Sequence, residues 1–349
     1  MMPQTLPSLD YVATLTDGTG IVQHAFESIP NRSTGYCTDD IARGFIVALM
    51  RARLAPRDQE AMRLASTYLS FLHDAQLDDG RFHNFMSYDR AWLDAVGTHD
   101  SCGRAIWSLG YGVRYAPTAA WRRVCRQMLD RSLQAVDWLD FPRAEAYTMI
   151  GLAHAAVAEA APGYRSVLRK LAERSMRRYD ENQEPQWTWY EQQMTYDNAR
   201  LPEALIRAGA TLEVPTFIDI GRATLDFYER VVFEDGIFVP IGNDGWYRNG
   251  GERARFAQQP LEAVSMVDAE LAAFATDREP ARLVAAEMAL AWYYGKNSLG
   301  IALASGGGCY DGLEPAGINK NMGAESTLAH LAGAYALAEH RQSVLRVAR

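Results

Sequence analysis

Three stretches of this chain set an acid and a base one helical turn apart. Gly35-Tyr36-Cys37-Thr38-Asp39-Asp40-Ile41-Ala42-Arg43 carries two adjacent carboxylates ahead of a guanidinium. Thr98-His99-Asp100-Ser101-Cys102-Gly103-Arg104 and Thr195-Tyr196-Asp197-Asn198-Ala199-Arg200 each carry an Asp with an Arg three or four residues on. Such spacing shares one helix face, so each stretch presents an acid and a base together at a helix start. A single Asp there is ordinarily a cap, which stabilises by about 1 kcal/mol without any chemistry. Asp39 and Asp40 together exceed what a cap needs. One of them is expected to pair with Arg43 or to be kept for a substrate, and like-charge crowding is expected to raise one pKa, as a general acid requires. For Arg43, Arg104 and Arg200, a salt bridge that orders the site and direct substrate contact stand side by side.

The same side of the chain carries Gln23-His24, Asn31-Arg32, Trp187-Thr188-Trp189-Tyr190-Glu191, Trp246-Tyr247-Arg248 and Ala324-Glu325. Acids beside aromatics match the demands of a sugar. A pyranose stacks its apolar faces on Trp or Tyr and offers hydroxyls to Asp, Glu, Arg and His, and cleaving its glycosidic bond takes two flanking carboxyls. The catalytic candidates are therefore Asp39, Asp40, Asp100, Asp197 and Glu325. The substrate-binding candidates are His24, Arg32, Tyr36, Arg43, His99, Arg104, Trp187, Trp189, Tyr190, Glu191, Tyr196, Arg200 and Trp246. The alternation in 187–191 favours one buried and one exposed face, although such a cluster can also plug the end of a barrel. His83 can join as a base or donor, whereas His154 and His330 lie among Ala and Leu and read as packed inside. His99, Cys102 and Cys37 sit at neighbouring helix starts, but without a CxxC pair they do not make a zinc site. No metal or other cofactor is implied. Gly306-Gly307-Gly308 has no following Lys-Ser/Thr and reads as a rim turn, not a phosphate loop.

Hydrophobic period sets the elements that must hold these residues. Amphipathic helical patterns at 9–15, 58–73, 119–136, 164–178, 216–232 and 280–294 alternate with helices apolar nearly all round at 40–54, 101–115, 144–161, 201–209, 261–274 and 324–338. The first set reads as outer helices and the second, rich in Ala and Gly, as inner ones. Six of each describe an all-α (α/α)6 toroid in which 9–15 closes the outer ring. The outer-to-inner loops are the long ones and hold short β-hairpins. Asp17-Gly18, Asp79-Gly80 and Asp235-Gly236 recur there as turns into extended segments. Long loops gathered on one side imply a functional rim. Pro142 and Pro260 mark first turns.

Nothing in the 349 residues reads as a linker, so residues 1–349 are taken as one toroid domain. A net charge of -8 with no basic block excludes a nucleic-acid partner. The N-terminus carries no basic segment followed by an apolar run, and no stretch reaches the length of a membrane span, which predicts a soluble, cytoplasmic protein. The 4 cysteines are widely spaced and read as reduced thiols.

Together with Thr195-Tyr196-Asp197-Asn198-Ala199-Arg200-Leu201-Pro202-Glu203-Ala204-Leu205 and Gly323-Ala324-Glu325-Ser326-Thr327-Leu328-Ala329, the first motif resembles a bacterial family of six-hairpin, glycosidase-like proteins. Members occur alone or fused to glycosyltransferase domains and often carry the glycosyltransferase label. The likeness runs from about Asp10 to about Ala338. It implies a toroid, a carbohydrate ligand, a pocket at the N-terminal ends of the inner helices and possible cooperation with a glycosyltransferase, but no settled catalytic assignment. This chain has no nucleotide-sugar-binding half, so the transferase label does not carry over. Three readings follow. A glycoside hydrolase acting on an oligosaccharide leads. A sugar epimerase or isomerase resembling the acylglucosamine 2-epimerase class comes second, since that chemistry usually takes a pair of pocket histidines and acids outnumber histidines here. A non-catalytic sugar-binding partner of a glycosyltransferase is third.

Overall fold

The computed structural model describes residues 5–347 of the chain. Twelve helices follow in order: α1 Asp10–Leu15, α2 Thr38–Leu54, α3 Gln59–Ala75, α4 His99–Tyr115, α5 Ala119–Ser132, α6 Pro142–Ala158, α7 Pro162–Asn182, α8 Arg200–Leu212, α9 Pro215–Val232, α10 Pro260–Asp277, α11 Pro280–Ala291 and α12 Ala324–Val347. The even-numbered helices pack each on the next, and α12 returns to α2, so they close an inner ring. The odd-numbered helices cover it from outside, with α1 against α12. The expected (α/α)6 toroid and its alternation hold throughout.

Local chemistry explains the borders. Asp58, Thr98 and Thr118 each accept a backbone N–H at the start of α3, α4 and α5, and proline opens α6, α7, α9, α10 and α11. Helix α5 ends before the expected position 136 and continues as a 3-10 turn over Leu133–Trp138. The Gln76 amide and the Ser132 hydroxyl both donate to the Met128 carbonyl there, in competition with the helical ladder. Between α4 and α6 the backbones meet at Gly110 and Gly151, where neither position has room for a Cβ. That contact is what the Ala and Gly of the inner set permit.

Inner-to-outer connections are brief: residues 55–58, 116–118, 159–161, 213–214 and 278–279. The outer-to-inner ones run over 16–37, 76–98, 183–199, 233–259 and 292–323, with 133–141 as the short exception. These loops carry twelve short strands: β1 Ala25–Phe26, β2 Ile29–Pro30, β3 Tyr36–Cys37, β4 Phe85–Met86, β5 Gln193–Met194, β6 Phe233–Glu234, β7 Ile237–Phe238, β8 Tyr247–Arg248, β9 Ala304–Ser305, β10 Gly308–Cys309, β11 Gly312–Glu314 and β12 Gly317–Asn319. All pair antiparallel in twos. Four pairs are local hairpins, and Gly306-Gly307 forms the turn between β9 and β10. The pairs β3–β4 and β5–β8 instead join separate loops into one rim. Among the described residues no helix is long and apolar enough to cross a membrane, and all four cysteines are buried and unpaired.

Candidate active site

The first turn of α2 holds the acids that organise the rim. Strand β3 delivers Cys37 as the N-cap of α2, and its side chain makes no capping bond. Neither Asp39 nor Asp40 caps the helix. The Asp40 carboxylate accepts from Arg43 at 3.1 Å and from the Cys37 thiol at 3.1 Å. Asp39 faces the neighbouring helix, its Oδ1 3.2 Å from Arg104 Nε on α4. Asp100 is also no cap, since Thr98 does that work, and its carboxylate accepts the Tyr196 hydroxyl at 2.6 Å. The two adjacent carboxylates thus leave α2 toward different arginines, so the expected pairing of one Asp with Arg43 holds for Asp40.

From these contacts an ion-pair belt runs around the bore of the ring. Glu325 on α12 accepts from Arg43 at 2.6 Å. Arg104 passes from Asp39 to Asp197, 3.4 Å away, and Asp197 takes the Tyr147 hydroxyl of α6 at 2.5 Å. Arg200 Nε sits 3.5 Å from Asp197, and its Nη1 donates to Glu203 and to Asp268 of α10 at 2.6 and 2.7 Å. Every inner helix contributes. Asp197 itself adopts a left-handed backbone with φ of 48°. The buried Glu262 carboxylate fixes that turn by accepting the backbone N–H groups of Asp197 and Asn198 and the Tyr228 hydroxyl.

On the rim side of the belt lies a cavity of 460 Å³. Its carboxylates are Asp39, Asp40, Asp100, Asp311, Glu314 and Glu325, against the two arginines Arg43 and Arg104 and the one histidine His24. Removal from water pushes Asp40 up to about 7, with Arg43 opposing and Glu325 adding to the rise. Burial also raises Asp39, with Arg104 and Arg43 pulling it back. Crowding by the adjacent acid was the expected cause for a raised acid here; burial is the larger one, and Asp39 is a minor contributor to Asp40. Burial likewise pushes Glu262 up to about 7, with Asp197 adding to it. A carboxyl near 7 beside ionised partners is what proton donation at neutral pH requires.

The rim cavity brings together four of the five expected carboxylates, Asp39, Asp40, Asp100 and Glu325, with His24, Arg43 and Arg104. Asp197 and Arg200 line a second cavity on the far side of the belt. Tyr196 reaches the site through Asp100, while the Trp246 indole donates to Asn243, a residue of the cavity wall. The other aromatics go elsewhere. Tyr36 is buried, donates to Asp17 and stacks on Tyr88, and Arg32 lies exposed over the same Tyr88 ring. His99 stacks on Trp138 at 4.0 Å, and His83 on Trp92 at 4.7 Å. Trp187, Trp189 and Tyr190 are all buried, so the expected exposed face of that cluster is absent. Trp187 packs on Phe227, Trp189 on Tyr228 and Tyr190 on Tyr179, because their loop lies over the outer helices α7 and α9. Glu191 is held by Arg143 at 2.5 Å. His154 and His330 are buried as expected. Among the described residues no three His, Cys, Asp or Glu side chains converge as metal ligands.

Residue types alone missed Phe85, Asp311, Glu314 and Glu262. Phe85 is the cavity's aromatic wall and is 41% exposed. Its strand β4 pairs Phe85 opposite Cys37, which ties the ring to the start of α2. Asp311-Gly312 repeats the Asp-Gly signal of the other long loops. Glu262 stands two residues after the proline that opens α10, in the first turn of an inner helix, where acids were the feature sought.

By sequence the chain matches no family model and no curated protein. Solved structures match it closely in shape. A cellobiose 2-epimerase from Bacillus thermoamylovorans aligns over 95% of this chain and 96% of its own, at 11% identity and a TM-score of 0.73. A GH76 α-mannanase from Bacteroides thetaiotaomicron aligns over 97% and 95%, at 11% identity and a TM-score of 0.66. The GH76A α-1,6-mannanase of a Salegentibacter species, as an inactive variant with two adjacent Asp-to-Asn changes in complex with α-1,6-mannotriose, aligns over 94% and 96%, at 10% identity and a TM-score of 0.62. At such identities the likeness is one of fold, the six-hairpin toroid.

Proposed function

We propose that the chain is a carbohydrate-active enzyme, and that it hydrolyses an oligosaccharide in the rim cavity with Asp40 as general acid and Asp39 as its partner carboxylate. The observation that carries this reading is the Asp39-Asp40 pair itself: two carboxyls lining one cavity, held by different arginines, with Asp40 pushed up to about 7. Asp40 protonates the glycosidic oxygen as the bond to the anomeric carbon breaks. Asp39, drawn toward its ionised form by Arg104, attacks that carbon or takes a proton from the attacking water. Phe85 offers the apolar face of a sugar its platform, and Asp100, Asp311 and Glu314 accept from hydroxyls. The inactive α-1,6-mannanase variant, altered at two adjacent aspartates, lends support from a protein of the same fold. The whole ring is one working unit in this reading, active by itself or beside a glycosyltransferase.

Epimerisation or isomerisation of a sugar is the second reading, favoured by His24 in the cavity wall and by the fold shared with the cellobiose 2-epimerase. Epimerisation removes a proton from one face of the carbon beside a carbonyl and returns it to the other, which calls for a base on each face, and the wall offers one histidine. Incubating the protein with α-mannooligosaccharides, β-glucooligosaccharides and cellobiose in heavy water, followed by proton NMR, separates the outcomes. Hydrolysis shows new reducing-end signals with no deuterium on carbon. An epimer carrying deuterium at C2 would move the assignment to the second reading. Saturable sugar binding without either product would leave a sugar-binding partner.

A further inference from the structure

Beyond the belt the bore of the ring is hollow a second time. A cavity of 320 Å³ reaches the C-terminal ends of the inner helices and shares only Arg43 and Arg104 with the rim cavity. Beside the ion pairs of the belt, its wall is built of apolar side chains: Ile46, Val47 and Met50 of α2, Leu261 and Val264 of α10, and Leu328 of α12. Helix α12 adds Ala329, Ala332 and Ala336, three small residues on successive turns where larger ones would fill the space. Tyr111 and Tyr115 bring two rings 4.6 Å apart, and the Arg53 guanidinium covers the second at 3.8 Å.

Every arginine in this wall has a carboxylate partner. Arg53 pairs with Glu339, Arg207 with Glu203, Arg200 with Glu203 and Asp268, Arg104 with Asp39 and Asp197, and Arg43 with Asp40 and Glu325. His154 and His340 are pushed toward their neutral forms, first by burial and then by nearby arginines. An ionic ligand finds no unpaired arginine, while the Trp107 indole N–H and one Glu339 carboxyl oxygen are buried without partners and give a largely apolar ligand two polar handles.

Protein interiors are otherwise packed to the density of organic crystals. An apolar cavity of roughly 150 Å³ suffices to take up benzene, so the volume here suits a two-ring molecule. We propose that this lower bore is a binding site for a neutral, largely apolar small molecule of about the size of a bicyclic aromatic, separate from the sugar cavity and walled from it by the ion-pair belt.

The test uses the full chain and 5-fluoroindole as probe, followed by fluorine NMR. Wild type is expected to shift and broaden the probe signal saturably. Ala332→Phe places a ring in the cavity and should abolish that response, and the milder Ala336→Leu should weaken it several-fold, each checked for folding by thermal melting. No saturable response in wild type, or wild-type binding by either folded variant, overturns the proposal. The readout involves no turnover, so it stands or falls independently of any reaction in the rim cavity.

Discussion

Asp40 concentrates the chemistry in one side chain, and its environment makes two outcomes calculable. Its carboxyl rises from the ordinary value near 4 to about 7. The folded protein therefore holds a proton that the unfolded chain releases, so the stabilisation is full below pH 4 and is lost as pH climbs through 7. Glu262, also near 7, acts in the same sense. Melting temperature should fall between pH 5 and 8, and Asp40→Asn, permanently neutral, should flatten part of that slope; an unchanged slope would remove Asp40 from the account. Phe85→Ala should raise KM for an oligosaccharide about fivefold with kcat nearly intact, since an aromatic stack is worth about 1 kcal/mol, and Phe85→Trp should restore it. Equal loss of kcat and KM effects would make Phe85 structural instead. At this scale the spacing Asp40–Arg43 was readable from sequence because a helix fixes which residues meet. Phe85 was not, because a strand pairing across two loops, β3 with β4, decides that it faces the cavity.

Among the elements, the capping residues and the acids divide the labour. Thr98 caps α4 through its hydroxyl, while Asp100 two residues later is spent on Tyr196. Thr98→Ala should therefore cost about 1 kcal/mol of stability, read as a lower melting temperature, whereas Asp100→Asn should leave melting nearly unchanged and weaken sugar binding. The reverse pattern would show Asp100 to be the structural residue. All twelve helices were legible from periodicity, since a ring buried on all sides must be apolar all round and a covering ring need not be. The aromatic run at 187–191 misled for a related reason: alternation predicts one exposed face only for a strand half in water, and this loop is covered by α7 and α9.

In the whole molecule, twelve helices surround a bore that keeps two cavities, divided by the belt from Glu325 through Arg43, Arg104 and Asp197 to Asp268. Breaking a buried pair on one side only leaves an uncompensated charge. The rim half is acidic, walled by loops and helix starts; the lower half is largely apolar and each of its arginines has a carboxylate partner. Sequence shows the ring but not this division, which depends on Arg104 turning from its own helix partner Asp100 toward Asp39 and Asp197. The most direct test of the central claim replaces Asp40 with Asn and compares kcat with sugar affinity by calorimetry, on whichever oligosaccharide wild type cleaves. If Asp40 is the proton donor, kcat falls by about a hundredfold or more while affinity and melting at pH 5 stay close to wild type. Turnover equal to that of wild type in the folded variant would contradict the account.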